Sequence, residues 1–231
     1  MTFLVNPHRL AGALPDNPML GPGAGAGVAQ VLDAIFEHAP SPLRSLAGSA
    51  RLLGLGAVHL KDEGQRLGLR SFKALGGAYA VIQLVREAAA RELGRAVPVE
   101  ALPRAGRAGL DAPAPVSAAD PEVARIASSL TFACATDGNH GQSVAAGARL
   151  MGAQAVIFVH QGVTAERRAS IARFGARIRI VSGNYDDAVT ESARESERHG
   201  WTLVSDTSWP GYTDIPRRVM QGYTLMTHEV A

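Results

Sequence analysis

The chain has 231 residues, 46% of them hydrophobic and 19% charged, which supports a folded core and excludes disorder and collagen-like order. One cysteine excludes a disulfide scaffold, and no apolar run approaches the roughly 18 residues of a membrane-crossing helix. Lysine and arginine total 23 against 21 acids, and a net charge of +2 is too balanced for a nucleic-acid footprint.

In chain order, residues 1–28 read as a Gly-rich arm without a period, and no charged-then-apolar leader precedes it. A short helix is expected over Gln30 to His38. Leu43, Leu46, Ala50 and Leu53 then form a helical stripe, and "AVHLKDE" reads as a short strand. Residues 71–94 predict a long helix, with Phe72, Leu75, Tyr79, Ile82 and Val85 on one face and Gly94 at its stop. Residues 97–121 carry Pro98, Pro103, Pro113, Pro115 and Pro121 and read as an exposed, partly mobile insertion.

From there strands and helices alternate. "LTFACA" is a buried strand, "NHGQSVAAGARLMG" a helix, "QAVIFV" a strand, and "TAERRASIARFG" a helix capped by Thr164. "ARIRIV" is a strand, "NYDDAVTESARESERHG" a helix capped by Asn184, and "WTLVSD" a strand. This order argues for parallel βαβ units with helices on both faces of the sheet. The last segment, "DIPRRVMQGYTLMTHEVA", keeps a helical stripe through Ile215, Val219, Tyr223 and Met226 and stops without a Gly or Pro signal. It reads as a helix cut short, so the chain is expected to be part of a longer one.

Only Lys61 and Lys73 are lysines; every other basic residue except the histidines is arginine. Arginine serves on a solvated surface but not where a free amine must react. "SFKALGG" puts Lys73 in the first turn of a helix, where the electropositive terminus disfavours a further cation and favours a nucleophilic amine. A surface lysine near a helix start is the plainer alternative. Lys61, in "LKDE", is expected in a structural ion pair with local carboxylates. "ATDGNHG" is a strand-to-helix turn with free backbone N–H groups, the Asp137 carboxylate and the Asn139 amide, at the strand end where open α/β sheets bind ligands. An ordinary capping turn is its alternative. Cys134 is expected in the core, and the histidines lack paired spacing, so no metal site is expected.

Together, "SFK" followed by "GNHG" resembles the pyridoxal-phosphate enzymes of fold type II, the tryptophan synthase β-like superfamily. Within it, "HLKDEGQRLGLRSFKALGGAYA", "ATDGNHGQSVA", "ARFGARIRIVSGNYDDAV" and "GWTLVSDTSWPGYTDIPRRVMQGYTLM" are similar to the diaminopropionate ammonia-lyases, over most of residues 41–231. The resemblance implies that pyridoxal 5'-phosphate forms a Schiff base with Lys73 and meets Asn139, Phe72 and Gly138. It implies elimination of D- or L-2,3-diaminopropionate to pyruvate and ammonia, with Lys73 and Asp137 as bases on opposite faces of Cα. Asp206 would hold the distal ammonium and Ser71 the substrate carboxylate, although Ser71 also suits a capping role. It further implies a homodimer. The absent leader and lone cysteine predict a cytoplasmic protein, and the charge balance and lack of a long apolar run predict no nucleic-acid or membrane partner.

The implied division is an arm at 1–28, the start of the large domain at 29–96, the insertion at 97–121, a small α/β domain at 122–206, and a return to the large domain at 207–231. The family's Gly-rich phosphate loop is not found after residue 206, so weak cofactor binding and little turnover are expected of this stretch alone. A serine or threonine dehydratase-like lyase, or a non-catalytic remnant, is the alternative function.

Overall fold

A computed structural model describes residues 17–21, 23–113 and 115–230. The first element is helix α1 (Ala24–Ile35), which buries Val28, Val31, Leu32 and Ile35. It starts inside the stretch read as an arm and ends before His38; the rest of that arm, residues 1–16 and 22, lies outside the described residues. Small residues at its start let it approach the C-terminal helix: a Cβ at Gly25 would strike His228 and the Thr224 carbonyl.

The stripe at residues 43–53 divides in two. Strand β1 (Leu43–Ser45) pairs antiparallel with β2 (His59–Lys61), and only Ala47–Leu53 forms helix α2. The expected apolar face is a poor one, since Ala50 alone is buried and Leu43 and Leu53 stay nearly half exposed. Cross-strand pairing from Leu43 to Lys61 takes residues that their spacing assigned to a helix.

Helix α3 (Lys73–Leu93) is the axis of the molecule. It begins at Lys73 and ends against left-handed Gly94, as the sequence indicates. Its first half is buried all round, from Ala74 through Ile82, rather than on one stripe. Residues 97–121 are an exposed insertion only in their second half, where Asp111, Pro113 and Pro115 to Ala118 are exposed. Val97, Leu102, Ala105 and Leu110 lie in the main core, in or beside the 3-10 turns Val99–Ala101 and Gly106–Asp111, and the Arg149 guanidinium donates to the carbonyls of Leu110 and Ala112 at 2.9 and 2.6 Å. Single apolar residues between prolines bury without any period to announce them. Helix α4 (Pro121–Ser129) went unread in the sequence, although Asp120 caps it by accepting from the Glu122 and Val123 N–H groups and Pro121 opens it.

Strands β3 (Thr131–Ala135), β4 (Gln154–His160), β5 (Arg177–Val181) and β6 (Thr202–Leu203) form a parallel sheet in the order β5-β4-β3-β6. Helices α5 (Asn139–Met151) and α6 (Ala165–Ala172) cover the face presented by Phe132, Cys134, Ile157 and Val159. Helix α7 (Tyr185–His199) covers the other face, where Ala133, Ala135, Val156 and Phe158 meet Ala188. Thr164 and Asn184 cap α6 and α7 as their spacing indicated. The chain winds outward from β3 to β5 and then returns to the opposite side of β3. The loops after β3 and β6 therefore leave adjacent strands at the same edge, the place where such sheets bind ligands.

Helix α8 (Asp214–His228) crosses back to pack on α3 and α1. A Cβ at Gly222 would overlap the Leu75 carbonyl, so this crossing needs glycine. Its end is tied down by a side chain that no helix-stop signal marks. Glu229 accepts from Arg66 at 2.8 and 2.6 Å and pairs with Lys61 at 2.6 Å. Arg66 also meets Glu63 at 2.7 Å. Lys61 is in a structural ion pair, though with Glu229 from the far end of the chain rather than with a local carboxylate. Burial pushes the Glu229 carboxyl up, but Arg66 and Lys61 outweigh it and hold it at about 2.

Candidate active site

Lys73 sits at the start of α3 because "SF" turns the chain there. The Ser71 hydroxyl accepts the Lys73 backbone N–H at 3.2 Å, a local contact made from one residue before the N-cap, Phe72, rather than from the N-cap itself. The Lys73 amine lies 5.4 Å from the Phe72 ring centroid and 5.9 Å from that of Tyr223, while those rings meet edge to face at 5.2 Å. Tyr223 reaches this position from α8 because Gly76 leaves room for it: a Cβ there would come within 2.5 Å of the ring. The Tyr223 hydroxyl is buried without a hydrogen-bond partner among the described residues.

The Lys73 amine donates to the Asp206 carboxylate at 2.5 Å. These residues are far apart in sequence and meet where the start of α3 faces the loop after β6. Asp206 lies three residues beyond the observed end of β6, which is shorter than "WTLVSD" implied, although the Val204 N–H still bonds the Ala133 carbonyl at 2.7 Å. Tyr212 locks this loop: its hydroxyl donates to the Leu203 carbonyl at 2.7 Å and accepts the Ser205 N–H at 3.0 Å. The Trp209 ring stacks on it at 4.4 Å. Burial pushes the Asp206 carboxyl up; the His140 ring and the Lys73 ammonium bring it down, and the balance falls below the usual range.

The loop after β3 is organised by the buried hydroxyl of Thr136, which accepts the N–H groups of Gly138 and Gly141 at 3.0 and 3.1 Å. His140 is buried, and its Nε2 is 2.7 Å from the Val204 carbonyl, so Nε2 carries the proton and joins this loop to β6. Its Nδ1 faces Asp206 at 3.9 Å. Burial lowers the affinity of this ring for a second proton. Asn139 is the first residue of α5 and is exposed, and among the described residues its side-chain amide has no hydrogen bond. Gly138 has extended backbone and precedes it. Asp137 is half exposed and pairs with His160 at 3.2 Å rather than with Lys73. Burial, with Asp206 and Asp137 nearby, pushes the Tyr185 hydroxyl up to about 12.

Lys73 and Asp206 are thus in contact, with His140 behind them. Ser71 and Phe72 flank the lysine, and Asp137, Gly138 and Asn139 line the neighbouring strand end. Sequence reasoning did not assign a site role to Tyr223, Tyr185 or His160. Cys134 is buried and its thiol is pushed up by burial, which suits the core position expected of it. The donor set fits pyridoxal phosphate at its aldehyde end: a partly exposed amine at a helix start, a carboxylate beside it, aromatic walls and a free amide.

A family model for "Pyridoxal-phosphate dependent enzyme" matches residues 111–231, a span that holds Asp137, Asn139 and Asp206 and begins after Lys73. The diaminopropionate ammonia-lyase of Escherichia coli (strain K12) is 37% identical over 195 residues, covering 84% of this chain and 44% of that protein. The crystal structure of the Escherichia coli enzyme in apo form aligns with a TM-score of 0.73 at 33% identity, over 93% of this chain and 53% of that one. The same enzyme in complex with an aminoacrylate-PLP azomethine reaction intermediate aligns with a TM-score of 0.73 at 34% identity, over 93% and 48%. The chain spans less than half the length of the curated relatives it matches. With the matching model covering more than half of it, the chain belongs to the pyridoxal-phosphate dependent enzyme family.

Proposed function

We propose that this chain carries the lysine-bearing part of a pyridoxal-phosphate dependent ammonia-lyase that converts 2,3-diaminopropionate and water to pyruvate and two ammonias. The observation that carries the reading is the Lys73 amine held 2.5 Å from Asp206 at the ligand-binding edge of a fold type II sheet. Similarity to diaminopropionate ammonia-lyase over 84% of the chain supports the choice of substrate.

Lys73 would hold the cofactor through its amine, with Phe72, Gly138 and Asn139 as further contacts. When bound, the cofactor's conjugated ring takes up the electron pair left at Cα. The chain's own residues do the rest. Lys73, as a free amine, would take the Cα proton of the L-isomer, and Asp137 would take that of the D-isomer from the other face. Asp206 already binds one ammonium, that of Lys73, and in this reading binds the substrate's distal ammonium as it leaves. Ser71 holds the substrate carboxylate. In the same reading residues 122–206 are the small unit and 207–231 return to the large one, and the working enzyme is a cytoplasmic homodimer. No helix among the described residues is long and apolar enough to cross a membrane.

A substrate panel tests this. Whatever turnover the cofactor-loaded protein supports should release more pyruvate from either isomer of 2,3-diaminopropionate than 2-oxobutyrate from threonine. Faster release of 2-oxobutyrate would move the assignment to a dehydratase.

A further inference from the structure

His160 closes β4, and no step above uses it. Its Nε2 lies 3.2 Å from Oδ1 of Asp137, in the loop after the neighbouring strand β3. Its other ring nitrogen, Nδ1, accepts the backbone N–H of Gly162 at 3.1 Å. A nitrogen that accepts an N–H carries no proton, so the proton of the neutral ring is on Nε2, the nitrogen within ion-pair distance of Asp137. A Cβ at Gly162 would stand 2.8 Å from Cε1 and 3.0 Å from Nδ1 of His160. Gly162 does not have positive φ, so a Cβ there would press on the imidazole and not strain the backbone. Both ring nitrogens have partners, Gly162 on one side and Asp137 on the other, which orients the imidazole, whereas an incidental surface pair worth about 0–1 kcal/mol orients nothing.

We propose that His160 is a positioning residue for Asp137, whose Nε2–H holds Oδ1 and leaves Oδ2 free to receive the substrate's Cα proton. The ring steers the carboxylate and does not relay its proton, because a second proton on Nδ1 would break the bond from Gly162. The proposal rests on Asp137 being the base for the D-isomer.

Two measurements test it separately. Nitrogen-15 NMR of the 231-residue chain should show His160 as one neutral tautomer with the proton on Nε2, and Gly162→Ala should split it between two tautomers. A proton on Nδ1, or a spectrum indifferent to Gly162→Ala, overturns the proposal whatever Asp137 does. In cofactor-loaded enzyme, His160→Leu should lower kcat for the D-isomer about tenfold, the size of one hydrogen bond to a charged group, with KM little changed and the L-isomer nearly unaffected. His160→Gln, which keeps an N–H donor, should restore most of the loss. Equal losses on both isomers overturn the positioning role. Indifference of the D-isomer to Asp137→Asn would instead sink the assignment of Asp137 as the base and leave the tautomer result to decide the hydrogen bond.

Discussion

Replacing Glu229 by glutamine removes one charge from a buried network without changing its volume. The Arg66 side chain is 1% exposed and Glu229 5%, so neither charge has water to fall back on. A carboxyl held at about 2 rather than 4.5 contributes about 3 kcal/mol at neutral pH. Breaking a buried pair costs about 3–5 kcal/mol, and Glu63, still bonded to Arg66, reduces that loss. Glu229→Gln should therefore cost about 2–3 kcal/mol at pH 7, or about 5–10 °C in Tm for a chain of this size. The sign with pH is fixed. The folded-state pKa is depressed, so the stabilisation is complete above 4.5 and is lost as pH falls towards 2. The gap between wild type and variant, measured by urea unfolding at pH 7 and pH 3, should shrink to roughly half. A gap below about 1 kcal/mol at pH 7, the range of exposed pairs, or one that persists unchanged at pH 3, would refute the reasoning.

Other expectations are as direct. Gly222→Ala pushes a methyl group into the Leu75 carbonyl and should cost about 1–3 kcal/mol through overpacking of α3 on α8; a melt unchanged from wild type would mean the helices separate freely. Tyr212→Phe removes the hydroxyl that serves both Leu203 and Ser205 and should cost about 1–2 kcal/mol. Hydrogen exchange at the Ser205 amide should quicken in that variant, and unchanged protection there would contradict its role in fixing the Asp206 loop. Asp206→Asn should weaken the substrate's distal ammonium contact and reduce pyruvate formation from both isomers about 10-fold or more, the loss of one charge-assisted bond. Full activity in that variant would remove Asp206 from the site.

The parallel half of the fold was legible because each element carries its own signal: a β-rich apolar run, a capping residue, then a glycine stop. Thr164, Asn184 and Gly152 did what their positions indicated. Signals failed where tertiary contact overrides local pattern. Leu43 looked helical and became a strand because Lys61 pairs with it. Leu102 and Leu110 looked loop-like and entered the core without a period. In the site, Lys73 and Asp137–Asn139 stood out through scarcity of lysine and through motif, whereas Tyr223 and His160 arrive from elements whose position depends on the whole chain. The pairing of Asp137 with His160 instead of Lys73 could not be read from either motif.

The central claim is that Lys73 is the reactive amine. The chain supplies its own control, because the only other lysine, Lys61, is locked between Glu229 and the Ser41 carbonyl at 2.6 and 2.7 Å. Incubation with pyridoxal phosphate, borohydride reduction and peptide mass spectrometry should place the label on the peptide containing Lys73, with Lys61 unlabelled. Equal labelling of both lysines, or none at Lys73, would contradict the account.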